Sequence, residues 1–128
     1  MNALTPKRIT GTIGELLVQI RLFQYDVQAA RPLEDSGNDL IGVRGPIFRA
    51  IQVRTTGNPE GKWNIPKDRE YHILALVKLF GKDDEYHLDK CKIFLLSKET
   101  VDAGDVDFNN LDKHRISQAL VDHFFPPA

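Results

Sequence analysis

The sequence predicts an α/β fold, a mixed central β-sheet of five or six strands flanked by helices, and three observations lead there. Near the N-terminus Ile9, Ile13, Leu16, Ile20 and Phe23 recur at alternating spacings of four and three, which makes one apolar stripe on a helix. Downstream come short runs rich in β-branched and aromatic residues, cut by Gly, Pro, Asn and Asp. The longest apolar run, Ile73-Leu74-Ala75-Leu76-Val77, has no polar alternation, as expected of a strand covered on both faces. The 128 residues suit one domain spanning 1–128 with one sizeable core. At 41% hydrophobic and 27% charged, the composition argues against disorder.

Each element follows in order. Thr5 is a fitting N-cap and Pro6 a fitting first helical residue, because the missing N–H has no helical partner there anyway. The helix is expected from about 6 to 24, with the apolar stripe buried. Arg8, Thr12, Glu15 and Gln19 line one edge of that stripe, at the boundary from which a side chain reaches the sheet. Gly11 and Gly14 each weaken a helix by about 1 kcal/mol relative to Ala, so close packing is expected to explain them. Val27 to Arg31 reads as a first strand closed by Pro32, and the turn residues Glu34 to Asn38 deliver Asp39 to the strand Asp39–Val43. Gly45-Pro46 makes a hairpin turn, and Ile47 to Thr55 returns antiparallel. Counting outward from that turn pairs Val43 near Phe48 and Asp39 near Gln52. In the following loop Trp63 stands between Lys62 and Lys67, where it either packs over the sheet edge or stacks on a base while the lysines take phosphates. Tyr71 to Leu79 is the central strand, Asp83, Asp84 and Glu85 form a solvated hairpin tip, and Glu85–Leu88 and Lys92–Leu96 are strands. Residues 97–110 read as an acidic connector, after which Asn110 caps a helix with Ile116, Leu120 and Phe124 buried, ended by Pro126-Pro127.

Charge and cysteine usage narrow the function classes. The net charge is −1, but residues 1–67 hold nine Lys/Arg against six Asp/Glu and residues 68–128 hold eight against twelve, so a phosphate-facing surface belongs in the first half. Cys91 stands alone, and His72, His87, His114 and His123 fall at neither zinc-ligand nor triad spacing. No glycine fingerprint for a nucleotide is present. There is no signal-type apolar region, and the longest apolar run is too short for a bilayer, so a cytoplasmic protein without a membrane contact is expected.

One strand stands out. In Phe48 to Thr56, Gln52 and Arg54 share a face, while Ile51 and Val53 share the other. Burying an amide and a guanidinium requires partners, and Asp39 and Glu15 are the upstream candidates. The series Gly14-Glu15-Leu16, Asp39-Leu40-Ile41, then Ile51-Gln52-Val53-Arg54-Thr55-Thr56 resembles the start of PD-(D/E)xK endonuclease domains, over roughly residues 5–80. The Holliday-junction-resolvase-like, Mrr-like and homing-endonuclease-like branches are the nearest groups, and in some of them Gln stands where Glu is usual. The resemblance implies a restriction-endonuclease-like core holding Mg²⁺ or Mn²⁺. It makes Asp39 the main metal ligand, Gln52 a second through its amide oxygen, and Glu15 an outer or bridging carboxylate. Arg54 stands in the place of the family lysine.

The chemistry accounts for those residue types. Phosphodiester hydrolysis uses a hard cation with oxygen ligands, which Glu15, Asp39, Gln52 and the Val53 carbonyl supply. It also uses a positive side chain near the developing charge, which Arg54 supplies. Arg8, Gln19, Arg44, Thr55, Lys62, Trp63 and Lys67 are the expected nucleic-acid contacts, with DNA as partner and a homodimer as a candidate assembly. Two function classes follow: a metal-dependent DNA endonuclease or resolvase-like phosphodiesterase, or an inactive nuclease-like domain serving as a DNA-binding or protein-interaction module. In the second, Gln52 and Arg54 are locked in a structural network with Asp39 and Glu15, because both depart from the usual catalytic residues.

Overall fold

The computed structural model describes residues 4–34, 38–82 and 85–127. The chain runs through α1 (Pro6–Gln24), β1 (Gln28–Ala30), β2 (Leu40–Arg44), β3 (Ile47–Thr56), β4 (Ile73–Lys78), β5 (Gly81–Lys82), β6 (Glu85–Tyr86), β7 (Lys92–Ser97), α2 (Lys98–Asp102) and α3 (Gln118–Phe124). Five strands form one mixed sheet in the order β1-β2-β3-β4-β7, antiparallel except for the parallel β3–β4 pair. The β5–β6 pair is a separate hairpin, so Glu85–Leu88 does not extend the sheet. Asp35, Ser36 and Gly37 of the expected turn, and Asp83 and Asp84 of the expected hairpin tip, lie outside the described residues.

The N-terminal helix forms where its cap signals place it. Thr5 Oγ1 accepts the Arg8 N–H, and Pro6 takes the first turn. Its buried stripe, however, is Gly14, Val18 and Leu22 rather than Leu16, Ile20 and Phe23, which are exposed together with Ile9. The reason is Gly14. It lies so close to Thr55 on β3 that only a residue without a side chain fits, and this contact fixes which face of α1 meets the sheet.

Two cores sandwich the sheet. Val18, Leu22, Ile51, Val53, Ile73, Ala75, Val77, Val121 and Phe125 pack between the sheet and the α1/α3 side. Trp63, Tyr71, Leu74, Leu76, Phe94, Leu96, Val101 and Leu111 pack on the α2 side. β4 contributes to both, which is why its five residues from Ile73 to Val77 are all buried. The hairpin register pairs Val43 with Phe48 and Leu40 with Ile51, around a turn in which Gly45 takes a left-handed φ of 55°.

The C-terminal third departs from expectation. The acidic connector contains α2, capped by Ser97 Oγ, which accepts the Thr100 N–H. Asn110 does not start the last helix: Arg115 bridges to Phe94 and the Ile116 N–H donates to Ile93 O, holding this stretch extended along β7. The helix therefore begins seven residues later, with Ser117 as its cap, and Val121 and the C-cap Phe125 are fully buried.

Candidate active site

Asp39 sits immediately before β2, across from β3. Its own N–H donates to Ile51 O at 3.0 Å. The Gln52 amide Nε2 donates to Asp39 Oδ2 at 2.8 Å, and the Val53 backbone N–H reaches the same oxygen at 2.9 Å. One carboxylate oxygen is therefore held by two donors, while Oδ1 accepts no hydrogen bond from the described residues. The strand alternation does the placing. Ile51 and Val53 enter the α1-side core, so Gln52 points to the other side, where it is completely buried.

That burial leaves Gln52 Oε1 without a partner, and Asn38 Oδ1 and Thr55 Oγ1 nearby along the chain share the condition. An unsatisfied buried acceptor costs about 1–3 kcal/mol.

Asp39 borders a cleft of about 620 Å³. Lys7, Thr10, Gly11 and Glu15 of α1 form one wall, Asp39 and the β3 residues Val53 to Thr56 the floor, and Lys62, Trp63 and Asn64 the other wall. Glu15, Asp39, Val53 and Arg54 thus face one space, with Gln52 tied to Asp39 beneath it. Glu15 is ion-paired with Arg31. Arg54 is half-buried and makes no hydrogen bond or ion pair with the described residues. Its field acts on Tyr71, whose phenol is pushed above the usual tyrosine range by burial and by Asp102, with Arg54 opposing both. The expected lock of Arg54 onto Asp39 or Glu15 is therefore not formed, because Arg31 has taken the Glu15 carboxylate.

The other expected contacts divide. Thr55 and the exposed Lys62, which pairs with Glu60 at 3.5 Å, line the cleft. Trp63 is spent on the core: its ring packs against Phe94 and Phe108 and its Nε1–H donates to Val77 O at 3.1 Å, so no free face remains for a base. Arg44 is likewise consumed. It donates to Asp122 Oδ1 at 2.7 Å, to Phe125 O at 2.6 Å and to Tyr25 O, clamping β2 to the ends of α1 and α3. Gln19 donates to Ala29 O at 3.1 Å, and Arg8 and Lys67 lie outside the cleft. Sequence reasoning missed Lys7, Thr10 and Asn64. Lys7, Gly11 and Glu15 repeat at i+4, so the helical spacing already put Lys7 on the Glu15 face.

Among the described residues no group of three or more His, Cys, Asp or Glu side chains is arranged for a metal ion. The donors at the cleft are two carboxylates and the Val53 carbonyl, with the buried Gln52 amide bonded to Asp39. All are hard oxygens, which fits Mg²⁺ or Mn²⁺ rather than zinc.

No protein-family model matches the chain, and no curated protein matches it. A solved structure does: that of a bacterial homing endonuclease, I-Ssp6803I, superposes with a TM-score of 0.52 over 78% of this chain and 69% of that one, at 15% sequence identity. The likeness is one of fold, and it makes the five-stranded mixed sheet with its flanking helices a nuclease-like fold.

Proposed function

We propose that the chain is a metal-dependent DNA endonuclease or resolvase-like phosphodiesterase of the PD-(D/E)xK type, a single domain acting in the cytoplasm as a homodimer. The observation that carries this reading is the buried, unpartnered oxygen of Gln52, whose amide is bonded to Asp39 where Asp39 lines a cleft that also receives Glu15 and Arg54, the latter with no ion pair among the described residues. The neighbour of like fold is itself an endonuclease, which supports DNA as the substrate. No helix among the described residues is long and apolar enough to cross a membrane.

Asp39, Gln52, Glu15 and the Val53 carbonyl would hold the cation, which when bound polarises the phosphoryl group and lowers the pKa of water. The chain's own residues do the rest. The Arg54 guanidinium offsets negative charge growing on the scissile phosphate. Lys7 and Lys62, on opposite walls, hold neighbouring phosphates. The Glu60 and Arg31 side chains occupy Lys62 and Glu15 in the free protein and yield them when substrate or cation arrives.

The test is cleavage of plasmid and branched DNA in Mg²⁺ or Mn²⁺. Cleavage is expected from the native chain, with Arg54→Ala reducing the rate by about 10²-fold or more, Asp39→Asn abolishing it and Arg54→Lys retaining it. One observation favours an inactive binding module instead: the Arg31–Glu15 pair neutralises one of the two carboxylates that line the cleft among the described residues. A native chain that shifts DNA in gels yet cuts no substrate in either metal would decide for that module.

A further inference from the structure

The stripe that α1 leaves mostly in solvent is patterned like a coiled-coil seam. Ile9, Ile13, Leu16, Ile20 and Phe23 follow a strict four-three alternation, which places Ile13 and Ile20 at heptad a positions and Ile9, Leu16 and Phe23 at d. The seam lies opposite the buried Gly14–Val18–Leu22 stripe; Ile13 is half-buried against the core, while Ile9, Leu16, Ile20 and Phe23 stay exposed. Exposure rises along it, from 38% at Ile9 through 50% at Leu16 and 59% at Ile20 to 68% at Phe23. Single exposed apolar residues are ordinary; four large ones sharing one face of a helix are not.

From this geometry we infer that α1 is a homodimer interface, packing antiparallel against α1 of a second copy with Leu16 at the two-fold axis. Three observations choose that occupant. First, knobs-into-holes packing demands a partner helix with the same repeat, and the chain carries that repeat itself. Second, the flanking e and g positions are Thr10, Leu17, Gln24, Thr12 and Gln19, all uncharged, so a helix meets its own copy without like-charge repulsion. Third, Leu4, Ile9 and Ile13 border an open groove at the N-terminal end of the seam. Antiparallel pairing about Leu16 sets Phe23 of the second copy opposite Ile9, where its ring fills that groove. A parallel pair would instead stack Phe23 on Phe23 and leave both grooves empty.

Antiparallel helices also oppose their dipoles. With the flanks and Leu4 included, the two helices bury on the order of 1,000 Å² between them, the size at which a specific interface begins. The pairing surface meets the cleft along α1, since Thr10 flanks the seam and Gly11 and Glu15 line both the groove and the cleft. The inference supplies the surface for the proposed homodimer but stands apart from catalysis, because assembly is read without DNA or metal.

The test is sedimentation equilibrium of the full chain over a concentration series. A dimer is expected for the native chain and a monomer for Leu16→Glu and for Phe23→Asp, each with native circular dichroism. A native chain that stays monomeric throughout, or a Leu16→Glu chain that stays dimeric, overturns the interface. Orientation is read by cross-linking on a Cys91→Ser background. Ile9→Cys mixed with Phe23→Cys should give a mixed disulfide, whereas a disulfide between two Ile9→Cys chains would overturn the antiparallel arrangement. Because neither arm measures cleavage, an inactive protein that still dimerises fails the nuclease reading alone.

Discussion

Gly14 on α1 and Thr55 on β3 approach so closely that a Cβ on the glycine would lie 1.8 Å from Thr55 Oγ1. A Cβ at Gly11, one turn earlier, would meet nothing within 4 Å. The two glycines of one helix therefore answer oppositely to the same substitution. Gly11→Ala is expected to stabilise by up to about 1 kcal/mol through helix propensity alone. Gly14→Ala gains the same propensity but overpacks the α1–β3 contact, for a net loss of about 1–2 kcal/mol. Urea denaturation of both variants checks this, and Thr55→Ala should recover part of the Gly14→Ala loss.

At Asp39, the shape of the acceptor and its charge are separable. Asp39→Ala deprives Gln52 Nε2 and the Val53 N–H of their acceptor, so a loss of about 2–5 kcal/mol is expected. Asp39→Asn keeps one oxygen in place and should lose well under half of that while binding divalent cations more weakly. Gln52→Glu sets a second carboxylate against Asp39 and makes stability depend on cation. Its melting temperature should be below the native value in EDTA and rise with added Mg²⁺. If it melts at the same temperature with and without Mg²⁺, the cation reading of this pair is lost.

The clamp at Arg44 carries a pH signature. Hydrogen bonds from Arg44 and then Gln118 hold the Asp122 carboxyl below its ordinary value of 3.8, against a small opposing effect of burial. A carboxyl depressed in the folded state binds its proton more readily when unfolded. Its stabilisation is therefore complete above pH 3.8 and is lost as the pH falls through the lower folded value. The stability difference between the native chain and Asp122→Asn should be flat near neutrality and shrink only below that point. Denaturation midpoints collected from neutral pH down to about pH 2 would show it, and a difference that never narrows would remove Asp122 as the source.

Much of this architecture could be read in advance where a signal is local. Thr5 and Pro6 announce the start of α1, and Gly45 announces the turn that sets the Val43–Phe48 register and so brings Asp39 beside Gln52. The face that α1 buries could not be read, because periodicity shows that an apolar stripe exists and not which of two stripes a close contact with Thr55 will select. The displaced start of α3 was hidden for a similar reason: the Ile116–Ile93 backbone bond joins distant segments. Arg44 and Trp63 look like surface recognition residues in one dimension, yet their partners Asp122, Phe125, Val77 and Phe108 arrive only with the tertiary fold. Arg31 holds Glu15 from 16 residues away, which left Arg54 its freedom.

The hairpin register and the Arg44 clamp also set an order of events in time. Gln52 and Asp39 are 13 residues apart in the chain, while Arg44 and Asp122 are 78 apart. Short loops close first, since the entropy of closure grows with length, so the β2–β3 hairpin belongs to the folding nucleus and the clamp to the last step. Substitutions at Asp39 are expected to slow refolding, with φ-values above about 0.5. Arg44→Met should leave refolding nearly unchanged and speed unfolding, as for a contact absent from the transition state. Stopped-flow chevrons of the two variants separate these outcomes, and equal effects on both limbs for Arg44→Met would reverse the order. The floor of the cleft would then be the earliest part of the protein to exist, and the C-terminal helix the bolt that makes it last.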